Sequence, residues 1–207
     1  MELPYPAAKR SYPVQVEGTL DEGLSRWRWL VKWILAIPHV IVLIPLWIGF
    51  FLATLVALGA IVVTGRYPRA LFDYTSGVLR WSWRVAFYAF NAFGTDRYPP
   101  FTLGEAPDYP ARLEIPYPER LSRGLALVKW WLLAIPHYLL VAIFVGSGDL
   151  PGLISLLAVF AGVALLFTAR YPKGMFELIV GLNRWVYRVI AYAALMRDEY
   201  PPFRLQR

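Results

Sequence analysis

Cysteine is absent from the 207 residues. That excludes a disulfide framework, a thiolate nucleophile, an iron–sulfur cluster and a thiolate zinc site. Charge is scarce as well: 17% of residues are Asp, Glu, Lys or Arg while 58% are hydrophobic, against roughly 25% charged in a typical soluble domain. Between Arg28 and Arg66 the only charged residue is Lys32, and between Arg123 and Arg170 there are only Lys129 and Asp149. Such runs exceed the ~20 apolar residues that cross a ~30 Å hydrocarbon core, and they predict an integral membrane protein. Met1-Glu2-Leu3-Pro4-Tyr5-Pro6 has no basic segment leading into an apolar one, so no cleaved signal peptide is expected. Phosphate-binding glycine loops, metal-ligand clusters, nucleophile elbows and nucleotide motifs are missing too. A soluble-type enzyme is therefore not expected. The net charge of +7 comes without a basic run or a nucleic-acid-binding signature. It points to anionic membrane lipid as the partner and not to nucleic acid.

What the chain has instead is a sentence written twice. Leu30-Val31-Lys32-Trp33-Ile34-Leu35-Ala36-Ile37-Pro38-His39 returns as Leu127-Val128-Lys129-Trp130-Trp131-Leu132-Leu133-Ala134-Ile135-Pro136-His137, with one extra apolar residue. Around it, Tyr12-Pro13-Val14-Gln15-Val16-Glu17 answers to Tyr109-Pro110-Ala111-Arg112-Leu113-Glu114. Gly65-Arg66-Tyr67-Pro68-Arg69 answers to Ala169-Arg170-Tyr171-Pro172-Lys173. Arg80-Trp81-Ser82-Trp83-Arg84 answers to Arg184-Trp185-Val186-Tyr187-Arg188, and Asp96-Arg97-Tyr98-Pro99-Pro100-Phe101 to Asp198-Glu199-Tyr200-Pro201-Pro202-Phe203. Every element keeps its order, so the whole chain is a tandem duplication. A tail, 1–11, precedes repeat unit one at 12–103; unit two is 109–205.

Each unit opens on an alternating segment that reads as a short strand, free to pair with its twin or with the closing Phe-Thr-Leu and Phe-Arg-Leu segments. Next comes the apolar run. Gly146-Ser147-Gly148-Asp149-Leu150-Pro151-Gly152 divides the second run with a stretch dense in turn formers, and Pro45 and Gly49 bracket the same place in the first. The pattern predicts a helical hairpin in each unit, with spans at about 27–46, 47–64, 125–145 and 153–168. None of the 21 Lys and Arg residues lies in either tip. Two crossings per unit would keep all of them, and both termini, on the cytoplasmic side, as the positive-inside rule requires. The fold class expected is thus an all-α membrane protein, a tandem repeat of two-span hairpins with short β segments on the cytoplasmic side.

After each hairpin an amphipathic helix is predicted, at 72–93 and 176–196. Asp73, Gly77, Arg80 and Arg84 form a narrow polar stripe that Glu177, Gly181, Arg184 and Arg188 repeat. Arginines make a bilayer-centred crossing costly. The stripe reads as an interfacial helix with its arginines toward phosphate, beside a belt of eight of the nine tryptophans.

The ordered motifs Tyr-Pro-Val-x-Val-Glu-Gly, Leu-Val-Lys-Trp, Ile-Pro-His, Gly-Arg-Tyr-Pro-Arg, Leu-Phe-Asp, Arg-Trp and Asp-Arg-Tyr-Pro-Pro-Phe resemble the bacterial membrane family known as domain of unknown function 4389 (DUF4389), over nearly the whole of both units. The resemblance implies a prokaryotic inner-membrane protein and supplies no activity and no catalytic residues. Unit two departs from unit one with Ala169 for Gly65, Glu199 for Arg97 and a longer loop.

The residues that could carry function are few. His39 and His137, at matching depth in the apolar runs, are intramembrane polar candidates. They could face a proton path, a quinone or a haem iron, or simply bond a carbonyl freed by the preceding proline. Lys32, Arg66, Arg69, Arg80, Arg84, Lys129, Arg170, Lys173, Arg184 and Arg188 are lipid-headgroup candidates. Asp73 and Glu177 lie too far from Arg80 and Arg184 for a direct pair and are expected to neutralise arginines of a neighbouring unit. Ser25 and Ser122 read as helix N-caps. Ala53, Ala57, Gly59 and Ala60, with Ala158, Ala161, Gly162 and Ala164, give small faces suited to close helix packing.

The reading is a non-enzymatic accessory subunit of the membrane. It is expected to bind anionic lipid, without a resident cofactor, and to self-associate or join a larger complex. A carrier or channel with a path at His39 and His137 is the alternative, and a haem or quinone redox subunit a second.

Overall fold

The computed structural model describes residues 12–147 and 150–206; the tail at 1–11 and the loop residue Asp149 lie outside them. The chain is mostly helical with short strands. Unit one runs β1 (Gln15–Gly18), α1 (Trp29–Leu35), α2 (Ile37–Thr64) and α3 (Arg69–Val85), prolonged by a π-helical turn at Ala86–Phe90. Unit two runs β2 (Ala111–Glu114), α4 (Arg123–Val128), a π-helical turn (Lys129–Leu133) and α5 (Ile135–Val145). A small ribbon follows, β3 (Gly146–Ser147) with β4 (Leu150–Pro151), then α6 (Leu153–Thr168) and α7 (Lys173–Ala193).

The strands pair with each other, antiparallel, Val16 opposite Leu113. These two residues hold the same position of the repeat, so the pairing is symmetric about its own centre. Trp83 and Tyr187, also equivalent, touch edge to face at 5.6 Å between ring centroids. The two units therefore meet about one pseudo-two-fold axis.

The turn expected at Pro45–Gly49 does not occur. Ile37–Thr64 is a single helix of 28 residues with Pro45 inside it. A proline removes one backbone hydrogen bond and crowds the preceding turn, but α3 braces the helix immediately past the ring. Trp47 Nε1 donates to Ser82 Oγ at 3.0 Å and the Tyr74 hydroxyl to the Leu46 carbonyl at 2.8 Å. The proline that matters is Pro38, in the first turn of α2, where the missing N–H costs nothing and the chain steps from α1 to α2.

Unit two does carry the loop, yet it is not the tip of a hairpin. A Cβ on Gly152 would collide with the Val145 carbonyl, so the chain returns to the place it left. The 11 residues of α5, Gly152 and the 16 of α6 together fill the 28 positions of α2. Burial keeps step, with Ile154, Ala161 and Leu165 buried where Phe50, Ala57 and Ile61 are. The ribbon of Gly146–Ser147 paired with Leu150–Pro151 is extruded from a helix that otherwise matches α2. Deleting Gly146–Pro151 should therefore leave the fold intact; a helix content by circular dichroism that falls well beyond the deleted residues would contradict this. Unit two's extra residue within Trp130-Trp131 is absorbed in the same spirit. It sits in the π-helical turn, which takes one more residue per turn without breaking the helix, and lets Ala134 and His137 regain the places of Ala36 and His39.

Four spans thus reduce to fewer. Among the described residues Ile37–Thr64 alone is long and apolar enough to cross a membrane, and Arg123–Leu133 with Ile135–Val145, bent by 48°, would make a second. The apolar helices of the two units run against each other. Leu121 N donates to the Gly65 carbonyl at the end of α2, and the Trp29 ring lies where a Cβ of Gly162 in α6 would be. The small faces at Ala53, Ala57, Ala158, Ala161 and Gly162 are buried within the chain. Beneath these helices, α3 and α7 follow them: Trp81 reaches His39 and Trp185 reaches His137. Beneath α3 and α7 lies the strand pair, where Trp83 Nε1 donates to the Glu17 carbonyl at 2.9 Å. The order is apolar helices, amphipathic helices, strands.

One departure between the units has an energetic consequence. Gly65 ends α2 at φ +72°, and Ala169 ends α6 at φ +56°. The left-handed region costs a residue with a Cβ ~1–2 kcal/mol. Ala169→Gly should raise stability by about 1 kcal/mol in a denaturant titration, and no change or a loss would refute the strain.

Candidate functional site

The repeated polar residues gather into two equivalent clusters, one per unit, where the closing motif folds back onto the opening one. Lys32 Nζ lies 2.9 Å from Asp96 Oδ1 and donates to the Thr95 carbonyl at 2.6 Å. The other oxygen of Asp96 accepts from the Ser25 amide at 2.8 Å. In unit two Lys129 meets Asp198 at 2.7 Å and the Arg197 carbonyl at 2.9 Å, and Asp198 accepts from the Ser122 amide. Both lysines are sealed, with 2% and 0% of their surface exposed, and each ammonium also faces a tyrosine ring, Tyr88 or Tyr192. Burial holds the Lys32 ammonium below its usual range, and Asp96 opposes that shift. A buried lysine of this kind is a clamp and not a headgroup ligand.

The histidines sit about two helical turns further on. Trp81 Nε1 donates to His39 Nδ1 at 3.0 Å, and Trp185 Nε1 to His137 Nδ1 at 3.1 Å. Phe101 stacks on His39 at 3.9 Å between centroids and Phe203 on His137 at 4.6 Å, with Tyr98 and Tyr200 tilted alongside. An imidazole that accepts at Nδ1 carries its proton on Nε2, and Nε2 is buried without a partner in both boxes. The carbonyl partner expected from the preceding proline is not used. The two histidines occupy separate boxes and, among the described residues, share no hydrogen-bond or ring partner.

The arginine stripe turns inward. Arg84 is buried and donates to the Thr102 and Gly104 carbonyls; Arg80 donates to Leu113. Arg184 donates to Val16 and Leu205, and Arg188 to Val14, Arg204 and Gln206. A strand pair with both edges free leaves carbonyls in need of donors, and the guanidinium fork supplies several at once. Lys32, Lys129, Arg84, Arg184 and Arg188 are thus withdrawn from lipid contact and Arg80 half so, while Arg66, Arg69, Arg170 and Lys173 are exposed. Asp73 pairs with Arg69 of its own helix at 3.2 Å, not with a neighbouring unit. Ser122 caps α4 through Leu125 N at 3.3 Å. Ser25 caps nothing, since α1 starts at Trp29. Trp81, Trp83 and Trp185 are core residues, which leaves Trp27, Trp33, Trp130 and Trp131 on the surface.

Asp96, Asp198, Trp81 and Trp185 were not legible as partners of the lysines and histidines, although each recurs in both units alongside the residue it meets. A second acidic contact, Asp21 with Arg97 at 2.6 Å, ties the chain ahead of α1 to the closing motif. Burial raises the Asp21 carboxyl, but its hydrogen bonds to Arg97 and Thr95 outweigh burial and hold it below the usual range. Its contribution is therefore present above the unfolded pKa of ~4 and lost as pH falls through the folded value. The melting temperature should be level from pH 7 to about 5 and drop below it, more shallowly in Asp21→Asn; equal slopes would remove the pair's role.

The DUF4389 model, a domain of unknown function, matches residues 26–102 and again 130–204. No curated protein and no solved structure matches the chain. Each match takes in one histidine and the aspartate of its cluster, Asp96 or Asp198, while Lys129 and α4 lie just ahead of the second, and the chain belongs to the DUF4389 family, with the domain present twice in tandem.

Proposed function

We propose that the protein is a non-enzymatic structural element of one membrane leaflet, lying in the plane of the membrane with its apolar helices in the acyl region and its strands in the cytoplasm. The observation that carries this is the one-sidedness of the fold. Ile41, Ile44, Ile48, Phe51 and Leu55 on α2 are exposed, as are Leu139, Ile143, Val159 and Phe160 in unit two. Only 22% of the most apolar stretch of α2 is buried. The opposite side of the molecule exposes Arg112 and Glu114 on β2.

An upright α2 would draw α3, with Arg80, and the strands behind it to hydrocarbon depth, at roughly 2.5–3.5 kcal/mol or more per charge. A helix lying flat buries one face ~5–10 Å into the boundary and leaves the other wet. Basic residues at both ends of the α1–α2 arm, Arg26 and Arg28 before it and Arg66 and Arg69 after it, also suit a flat helix. For an upright one they would put arginines on both sides of the membrane, against the positive-inside rule. The carrier and redox readings draw less support. His39 and His137 do not face a common path, and an Nε2 that holds the proton has no lone pair to offer iron.

Oriented circular dichroism in aligned bilayers tests the orientation. The band polarised along the helix axis should keep its full intensity with light along the membrane normal. Loss of that band would mean upright helices and would end this reading.

A further inference from the structure

Where α2 crosses the start of unit two, the surface carries both halves of a lipid site. Between α2 and unit two lies a cavity of about 390 Å³ lined by Phe50, Thr54, Leu58, Trp130, Val141 and Leu195, among others, and almost wholly apolar. Its few polar groups are already engaged: the Thr54 hydroxyl bonds the Phe50 carbonyl and the Tyr138 hydroxyl that of Trp130. Following the same face of α2 by i, i+4 and i+7 steps from Leu58 leads to Gly65, about 12 Å along at 1.5 Å per residue to Arg66. There Arg66, Arg120 and Arg123 line a second hollow with Thr64, Gly65 and Leu121, and no carboxylate lines it. Arg66 and Arg120 are exposed, as is Arg123, and none of the three guanidinium groups makes a hydrogen bond or ion pair among the described residues.

We propose that this seam holds one anionic phospholipid, its phosphate on Arg66, Arg120 and Arg123 and an acyl chain in the groove beside Leu58. The proposal rests on the in-plane reading, since it needs the seam to open onto lipid. The occupant follows from charge and shape together. Three arginines without a counter-ion call for an anion, and bidentate guanidinium contacts suit phosphate oxygens. An apolar slot leading away from them calls for a chain attached to that anion.

Unit one does not repeat the site, although the fold does. Its counterpart of the groove is filled: Trp29 packs on Phe93 at 5.7 Å between ring centroids, where unit two has Ala126 and Leu195. Its counterpart of the basic hollow, with Arg170 and Lys173, is lined by Asp21 and Glu22 as well. One lipid per chain is expected, not two.

Native mass spectrometry of the full-length protein in mild detergent, titrated with phosphatidylglycerol, phosphatidylcholine or inorganic phosphate, reads this directly. The wild type should retain a single phosphatidylglycerol at least tenfold more tightly than phosphatidylcholine. An Arg66→Gln, Arg120→Gln, Arg123→Gln variant should lose that preference. Val141→Trp, which fills the groove, should weaken the lipid about tenfold while inorganic phosphate still competes as weakly as before. Equal retention of the two lipids, two equivalent lipids per chain, or variants that behave as wild type would each overturn the site. Phosphate displacing the lipid at comparable concentration would make it a free-anion site, which also overturns the proposal. Flotation on neutral liposomes separates the two claims. If the variants float as the wild type does while no lipid is retained, the site is wrong and the in-plane reading stands; if the wild type does not float, the in-plane reading itself has failed.

Discussion

Asp96→Ala should destabilise the protein by about 3–5 kcal/mol, the cost of leaving a sealed charge without its partner. Lys32 is 2% exposed and has one carboxylate within reach, at 2.9 Å; removing it strands the ammonium against the Tyr88 ring and two carbonyls. The same change also frees the Ser25 amide, so the start of α1 loosens with it. Asp198→Ala should behave alike in unit two, where Lys129 and Ser122 depend on it. Lys32→Met, Asp96→Ala together should recover part of the loss, because an apolar pair of similar shape avoids the desolvation that the ion pair has to overcome. Denaturant midpoints of the three variants decide the matter. A single Asp96→Ala variant within 1 kcal/mol of wild type would show that the pair is not the clamp described.

The second large effect concerns the membrane. Ile48 is 59% exposed near the middle of α2, and Val159 holds a similar place on α6. A carboxylate there costs roughly 2.5–3.5 kcal/mol in the hydrocarbon. Ile48→Asp should therefore weaken liposome binding about 100-fold, while the fold, which does not use this side chain, keeps its circular dichroism spectrum. Arg112→Asp on the strand pair is the control and should leave binding within about twofold. Ile48→Asp binding as tightly as wild type would mean that lipid does not cover the outer face of α2.

Much of the architecture is legible in the repeat. Equivalent residues find equivalent places, down to the paired strands, the two histidine boxes and the threonines that close α2 and α6 through Thr64 and Thr168. What misleads is local chemistry with a non-local answer. Pro45 and Gly49 carry turn signals, but Ser82 and Tyr74 on α3 hold the helix together through Trp47 and the Leu46 carbonyl, and Tyr74 is 28 residues away in sequence from the carbonyl it binds. In the glycine-rich stretch before α6, Gly146–Ser147 pairs with Leu150–Pro151, and periodicity cannot show that its two ends meet. The stripe of Arg80, Arg84, Arg184 and Arg188 was readable as a stripe, though not as a buried one, because its partners are carbonyls of strands and closing segments. The basic seam was half visible, with Arg66 among the candidates. Arg120 and Arg123 belong to the other unit and join it only because α2 crosses over.

The plane of α2 in the membrane is the claim on which the rest turns, and the absence of cysteine makes it accessible. Single substitutions Arg26→Cys, ahead of α1, and Ala70→Cys, past the end of α2, place one thiol at either end of the apolar arm. Both should stay unreactive toward a membrane-impermeant maleimide applied to intact cells, and both should react in inverted membrane vesicles. Reaction of one from each side would mean that the helix crosses the bilayer and would contradict the account.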